Sequence, residues 1–269
     1  VNVFVTPGID IVDNSNLVEA AVTMVEEERC DSIYIVTSPD LDGGGQVITV
    51  EEAVDNLDST GIDSSYTATY WPWVQVNDTE NNVLVYLPPT IDVCRNIALT
   101  DNIAFPWFVV AGIQRGDVQA IKARKKLTVE EREVLYAGRI NPIATFATEG
   151  LKIWGNKTLQ IRESALDRIN VRRLLLQARK LISAVSIRLL FEQNDEIVRN
   201  QFKGLVNPIL ENIRSERGLT DFRVEVDNSP ESIDRNELIG RIYIKPTRAL
   251  EFIIVEFTIM NTGATFDVV

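Results

Sequence analysis

Between Val171 and Leu189, apolar side chains recur at Val171, Leu174, Leu175, Ala178, Leu181, Ile182, Val185 and Leu189. This is the i, i+3, i+4, i+7 spacing that a 3.6-residue repeat gathers onto one side. A stripe held over about five turns predicts a long helix with one buried face, and it commits this part of the chain to a layer packed on something else. Arg172, Arg173, Arg179 and Lys180 fall within an arc of about 100° on the other side. That placement predicts four cations on one exposed face, fit for a charged protein contact. A second helix is predicted from a cap at Asn194, through Val198, Phe202, Leu205, Val206, Ile209 and Ile213, to Gly218. Pro208 is expected to kink or split it. Phe222 to Val226 and Ile239 to Lys245 alternate as strands do, and Leu250 to Met260 is a long β-rich run. Two long helices on a small sheet, an α+β unit, follow for this part of the chain.

Upstream the order differs. A strand at Val3 to Thr6 precedes a helix opened by Asn14-Ser15-Asn16, and a strand at Ile33 to Thr37 precedes a short helix capped by Thr49 and running to Leu57. Further strands are predicted at 67–76, 83–87 and 107–111, with Pro88-Pro89-Thr90 starting a helix to about Leu99. Strands alternating with helices predict an α/β unit with a mainly parallel sheet. From 128 to 170 the pattern breaks into short pieces: a capping box at Thr128 to Glu131, a helix to Tyr136, then Gly138, Asn141-Pro142, Gly150 and Gly155. A length of 269 residues is near the size at which one core divides in two. The division expected is an acidic α/β unit over 1–138 and a C-terminal unit over 139–269.

Charge follows the same division. Residues 1–112 hold 18 acidic and two basic side chains, whereas 113–269 hold 21 acidic and 25 basic, and the whole chain carries −12. Within 113–180 there are 15 Lys or Arg against 7 Asp or Glu, a pattern that a nucleic-acid surface would show. The large acidic unit beside it would repel phosphate, so a protein partner fits better, including another copy of the chain. There is no histidine, which removes imidazole bases, His-bearing metal sites and the usual partners of nucleophiles. Cys30 and Cys94 make no disulfide framework and read as small hydrophobes in a reducing compartment. No run of 18 apolar residues is present, so no membrane insertion is expected. The start, VNVFVTPG, lacks both Met and a signal-peptide pattern and is expected of an internal segment.

Other motifs read as structure. Gly43 to Gly45 lack the Gly-Lys-Ser/Thr ending of a phosphate loop and follow acidic Asp40 and Asp42. Asp40, Asp42, Asp58 and Asp63 depart from calcium-loop spacing. Glu130 and Glu131 are sequence neighbours on a helix and do not converge on one substrate atom. Tyr70-Trp71-Pro72-Trp73 and Trp107 are read as core or interdomain packing. No catalytic residue, cofactor or metal is expected. The Leu250 to Met260 run is free of proline and would be an aggregation hazard with its edge open, which argues that a neighbouring chain covers it.

The segments LTVEEREVLYAGRINPIATF, EGLKIWGNKTLQ, ALDRINVRRLLLQARKLISAVSIRLLFEQND, VRNQFKGLVNPIL and SPESIDRNELIGRIYIKPTRALEFIIVEF occur in order through the second half. Together they resemble the C-terminal part of the tail sheath proteins of contractile-tailed, T4-like bacteriophages. YWPWVQV, VLVYLPPTIDVCRNIALTDN and PWFVVAGIQRG resemble the preceding sheath domain. The resemblance implies a non-enzymatic structural subunit of the virion tail, assembled in the host cytoplasm. Such subunits stack as hexameric rings around a tail tube and contract to drive it through the host envelope. It implies as partners other sheath subunits, the tube protein, and baseplate and tail terminator proteins, with no direct nucleic-acid contact. It also implies an inner, tube-facing C-terminal domain and terminal strands that complete a sheet in neighbours. On these residues that gives Arg172, Arg173, Arg179 and Lys180 as tube or subunit contacts. Phe252, Ile253, Ile254, Val255, Phe257 and Ile259 become the stitching strand. The rival reading is a ligand-binding or enzymatic α/β protein using the crevice at the carboxyl ends of the first strands.

Overall fold

The computed structural model of the chain describes residues 2–227, 229 and 235–251. Strands β1 (Val3–Asp10), β2 (Ile33–Thr37), β3 (Thr67–Trp71), β7 (Ile140–Phe146) and β8 (Gly150–Ile153) form one five-stranded sheet in the order β1-β2-β3-β7-β8. The first four strands run parallel, and β8 returns antiparallel to β7. Every residue of β2 and β3 is buried, as expected for parallel strands covered on both faces. The period of two sorts their side chains. Ile33 and Ile35 face Val93 and Ile97 of α3 (Thr90–Ile103) together with Ile169 and Leu176 of α5 (Ile169–Ser186). Tyr34 and Val36 face Val18 of α1 (Ser15–Thr23), Leu57 of α2 (Val50–Ser59) and Leu135 of α4 (Val129–Ala137). Capping boxes start α2 at Thr49 with Glu52 and α4 at Thr128 with Glu131, both where the sequence places them.

The expected single strand over 67–76 is two. β3 ends at Trp71, the Trp71-Pro72 peptide is cis, and β4 (Val74–Asp78) belongs to a separate antiparallel sheet, β5-β4-β6, with β5 (Val83–Leu87) and β6 (Lys122–Ala123). No strand forms at 107–111. Phe105 to Phe108 make a turn closed by the Phe108 N–H on the Phe105 carbonyl at 3.0 Å, and the rings of Phe105 and Trp107 stack with centroids 4.9 Å apart. The aromatic content that favours a strand goes instead into packing, because tertiary burial outweighs local propensity.

The α+β unit has its own core. Leu174 and Ala178 of α5 meet Phe202, Val206, Leu210 and Ile213 of α6 (Glu196–Ser215), with Trp107 against them. Phe222, Val224, Ile242 and Ile244 of the antiparallel pair β9 (Leu219–Val226) and β10 (Gly240–Pro246) pack onto the same cluster. The cap of α6 is Asp195, whose carboxylate accepts the Val198 N–H at 2.9 Å, rather than Asn194. Pro208 does not split α6. It lies on the exposed side, as does Gly204, so the carbonyl that loses its proline-blocked partner is open to solvent.

Asn141-Pro142, read in the sequence as part of a turn-rich crossover, lies inside β7. β7 pairs with β3 through Ile140 to Pro142 and with β8 from Ile143 onward. Pro142 therefore stands at the changeover between partners, a position that tolerates a missing N–H. The five-stranded sheet thus takes strands from both sides of 138/139. The C-terminal run enters the described residues only at Leu250 and Glu251; Phe252, Ile253, Ile254, Val255, Phe257 and Ile259 lie outside them.

Candidate assembly interface

The four cations of α5 do not share one exposed face. Arg172 is 8% and Arg173 is 3% exposed. The first half of α5 lies between two cores, giving Ile169 and Leu176 to the sheet and Leu174 and Ala178 to α6, so nearly the whole circumference is covered. A stripe counted from apolar residues alone misses this, because arginine stems bury as readily as leucines when the head finds partners. The Arg172 guanidinium lies over the Tyr66 ring, 4.0 Å from its centroid, and donates to the Ser65 hydroxyl. Arg173 pairs with Asp101 in the last turn of α3, neutralising a carboxylate that the helix C-terminus disfavours. Arg179 is exposed, and Lys180 is half-buried and donates to Asn2 Oδ1 at 2.6 Å. Of the four, Arg179 is on the surface, Lys180 is engaged with Asn2, and Arg172 and Arg173 hold the fold.

Past the end of α5, the link to α6 and the first turn of α6 expose Ile187, Leu190, Phe191 and Ile197, with Phe191 wholly in solvent and its backbone at φ 69°. A bulky residue in the left-handed region is costly, and a cluster of exposed large apolar groups marks a contact surface. Of this cluster only Phe191 lies in the FEQND segment, and a single phenylalanine gave no periodic signal.

The β9–β10 pair turns Phe222, Val224, Ile242 and Ile244 inward. Its outer face sets Arg241 opposite Glu225 and Lys245 opposite Asp221, cross-strand pairs that keep the face soluble. Among the described residues no third strand lies on either edge. Just beyond, Arg168 grips Glu251 with two parallel hydrogen bonds, Nε to Oε1 at 2.6 Å and Nη2 to Oε2 at 3.0 Å, and its Nη1 lies 3.0 Å from Asp167 Oδ2. Glu251 carried no sequence signal, because its partner is 83 residues away.

The crevice required by the rival reading is filled. At the carboxyl ends of β2 and β3, Trp71 is fully buried and the Trp73 indole N–H donates to the Ser38 carbonyl at 2.9 Å. Asp40 is buried against Arg124 at 2.5 Å, and burial pushes its carboxyl up to about 6, with the Arg124 charge offsetting part of the rise. The N–H groups of Gly44 and Gln46, which a phosphate loop would offer a ligand, go to Asp42 Oδ1 at 2.9 and 2.7 Å. Asp58 pairs with Arg139 and Asp63 accepts the Ile161 N–H at 2.7 Å, so these carboxylates serve separate partners. Glu131 is used by its capping box and by Lys125. The Trp107 indole N–H donates to the Glu216 carbonyl at 2.9 Å, fixing the end of α6.

Asn141, read in the sequence as a turn residue, ties this architecture together. Fully buried on β7, it donates from Nδ2 to the Thr69 and Lys157 carbonyls at 3.0 and 2.8 Å and accepts the Lys157 N–H at 2.7 Å. No helix among the described residues is long and apolar enough to cross a membrane.

Residues 162–260 match the family described as phage tail sheath C-terminal domain. That segment belongs to the tail sheath family. The tail sheath protein of Vibrio phage KVP40 is 37% identical over 224 residues, 80% of this chain and 32% of the relative. The tail sheath protein of Enterobacteria phage T4 is 31% identical over 271 residues, 95% of this chain and 41% of the relative. The chain therefore spans about a third to two fifths of the length of these sheath proteins. In fold it is similar to the sheath complex of an extracellular contractile injection system, PVC, in the contracted state, with TM-score 0.80 and 20% identity over 96% of this chain and 70% of that one. It is likewise similar to the contracted helical sheath of the anti-feeding prophage, with TM-score 0.77 and 21% identity over 96% and 70% of the two chains. The resemblance to T4-like sheath proteins and the two-unit α/β architecture read from the sequence are both borne out.

Proposed function

We propose that the protein is a structural subunit of a contractile phage tail sheath. It polymerises as stacked hexameric rings around the tail tube and contracts to drive the tube through the host envelope. The observation that carries this reading is the β9–β10 pair, which has both edges open among the described residues and lies inside the segment matched by the sheath domain family. Two strands alone are marginal in water, and a strand from a neighbouring copy on such an edge repeats head to tail into rings or helices. The segment holding Phe252, Ile253, Ile254, Val255, Phe257 and Ile259 is the donated strand. The unit built on α5, α6 and the β9–β10 pair acts as the inner assembly unit, and the acidic unit that carries the five-stranded sheet lies outside.

Arg179, Lys180 and the exposed apolar link at Ile187, Leu190, Phe191 and Ile197 are the contacts offered to the tube or to a neighbour. The work is mechanical and not enzymatic, and it is done in the virion tail after assembly in the host cytoplasm, with baseplate and tail terminator proteins at the ends. Electron microscopy of the full-length protein tests the reading. Tubular polymers are expected from the intact chain and none from a chain ending at Glu251. Monomers only, at high concentration, would overturn it.

A further inference from the structure

We infer that the free edge of β5 is a self-association surface, on which β5 of a second copy pairs antiparallel. The other sheet edges among the described residues are guarded. β1 breaks its register around Pro7-Gly8. β8 is covered by the loop before it, through Gly112 N–H to the Ile153 carbonyl at 2.9 Å and Val118 N–H to the Leu151 carbonyl at 3.1 Å. β9 and β10 carry Asp221, Arg223, Glu225, Arg241 and Lys245, and β6 is two residues long. β5 reads VLVYL, and no strand lies beyond it among the described residues. No charged residue occurs from Asn81 to Ile91, and Val83 and Leu84 are 48% and 57% exposed. Such an edge holds none of the devices that keep strands from pairing.

Side-chain pairing and charge select the occupant and its direction. In an antiparallel pair centred on Val85, that residue meets its own counterpart, Leu84 meets Tyr86 and Val83 meets Leu87, so every cross-strand pair is apolar or aromatic. At the Val83 end lies an acidic turn, with Asp78 opposite Val83 on β4 and Glu80 just beyond. At the Leu87 end lie cations. Tyr86 pairs with Gln75, and Gln75 with exposed Lys122; the Arg124 guanidinium lies 3.9 Å from the centroid of the Tyr86 ring, and Lys126 is exposed. Antiparallel pairing sets the acidic turn of each copy toward the basic end of the other, whereas parallel pairing would set acidic turn beside acidic turn. These two opposite-charge contacts offset the repulsion between two acidic units. The product is one sheet ordered β6-β4-β5-β5-β4-β6, within the commonest range of sheet sizes. A two-fold pair has no place in a head-to-tail array. The dimer is therefore a state of the unassembled chain, and it stands or falls apart from the sheath reading.

Sedimentation velocity and mild oxidation test the pairing, on the parent protein, on Val85→Cys and Val83→Cys, and on Leu84→Lys. Two residues at position 85 face each other across the antiparallel pair, about 4.5–5.5 Å apart between Cα atoms and within disulfide range, whereas two at position 83 lie well beyond it. The parent is expected to sediment as a concentration-dependent dimer. Val85→Cys is expected to gain a covalent dimer on oxidation that the parent, with its free Cys30 and Cys94, and Val83→Cys do not form. Leu84→Lys brings a cation toward Arg124 of the second copy and should weaken the dimer about tenfold, because the two-fold repeats the lost pair. Its melting should stay within a few degrees of the parent, since Leu84 is exposed in the single chain. A parent that stays monomeric at high concentration overturns the inference. Cross-linking of Val83→Cys as readily as Val85→Cys, or a dimer that Leu84→Lys leaves unweakened, does the same. None of these outcomes alters the sheath reading, which polymers of the full-length protein decide.

Discussion

Removing the Arg173 head should unfold the α5 seam, not merely change a surface. Arg173 is 3% exposed and pairs with Asp101, whose side chain keeps 23% of its surface in water. In Arg173→Met the stem still fills its space, so the loss isolates the charge: Asp101 is left without a counter-ion at the C-terminal end of α3, where the helix dipole also opposes it. Breaking a buried pair from one side costs about 3–5 kcal/mol, and the partial exposure of Asp101 sets the expectation at the lower end, about 3 kcal/mol. Arg173→Glu adds repulsion between two carboxylates and should cost more, a large share of the ~5–15 kcal/mol that holds a domain. Arg179→Glu, on the exposed side of the same helix, should stay within about 0.5 kcal/mol. Urea unfolding of the three variants checks the series. A loss below about 1 kcal/mol for Arg173→Met, or equal losses for Arg173→Glu and Arg179→Glu, would refute the burial argument.

Asp40 gives a pH signature. An ordinary aspartate titrates near 3.9, but Asp40 keeps its proton until about 6. Between those values the folded chain binds more protons than the unfolded one. This group's contribution is therefore fully present below pH 4 and is lost as the pH rises to 6, by up to about 3 kcal/mol. Asp40→Asn should flatten that stretch of the stability profile in urea titrations, and an unchanged slope would contradict it. Asn141→Ala removes three buried hydrogen bonds and should cost about 3 kcal/mol, visible as a drop in the denaturation midpoint. At Gly155 an added methyl would sit 2.5 Å from Asn141 Oδ1 and 2.9 Å from its Cα. Gly155→Ala should accordingly lose about 1–3 kcal/mol by thermal melting.

Much of the fold was legible because it rests on local chemistry. The capping boxes at Thr49 and Thr128 and the 3.6-residue stripe of α5 are written within a few residues of one another; the structure uses the boxes as written and forms the helix, but the stripe buries Val171, Leu174 and Ala178 and leaves Leu181 exposed. What escaped depends on distant partners. Arg172 and Arg173 looked solvated because Ser65, Tyr66 and Asp101, which receive them, are 72 to 107 residues away. Residues 107–111 looked like a strand because their preference for pleated surfaces says nothing of the core that Phe202 and Val206 would offer to Trp107 and Phe108. Asn141-Pro142 looked like a turn because those residue types favour turns, and only the switch of partners along β7 explains proline within a sheet. The interface candidates followed the same rule: the resemblance pointed to α5, while the exposed link at Phe191 and the grip on Glu251 needed coordinates.

The double burial of α5 has a mechanical consequence. A helix whose first turns belong at once to the core of the sheet and to the core of the β9–β10 unit couples the two as a beam couples two blocks. A pull on the small sheet therefore travels into the large one without slack. If copies are joined by strands as proposed, the compliance would lie in those connections, and any length change would come from blocks re-seating against one another while each keeps its shape.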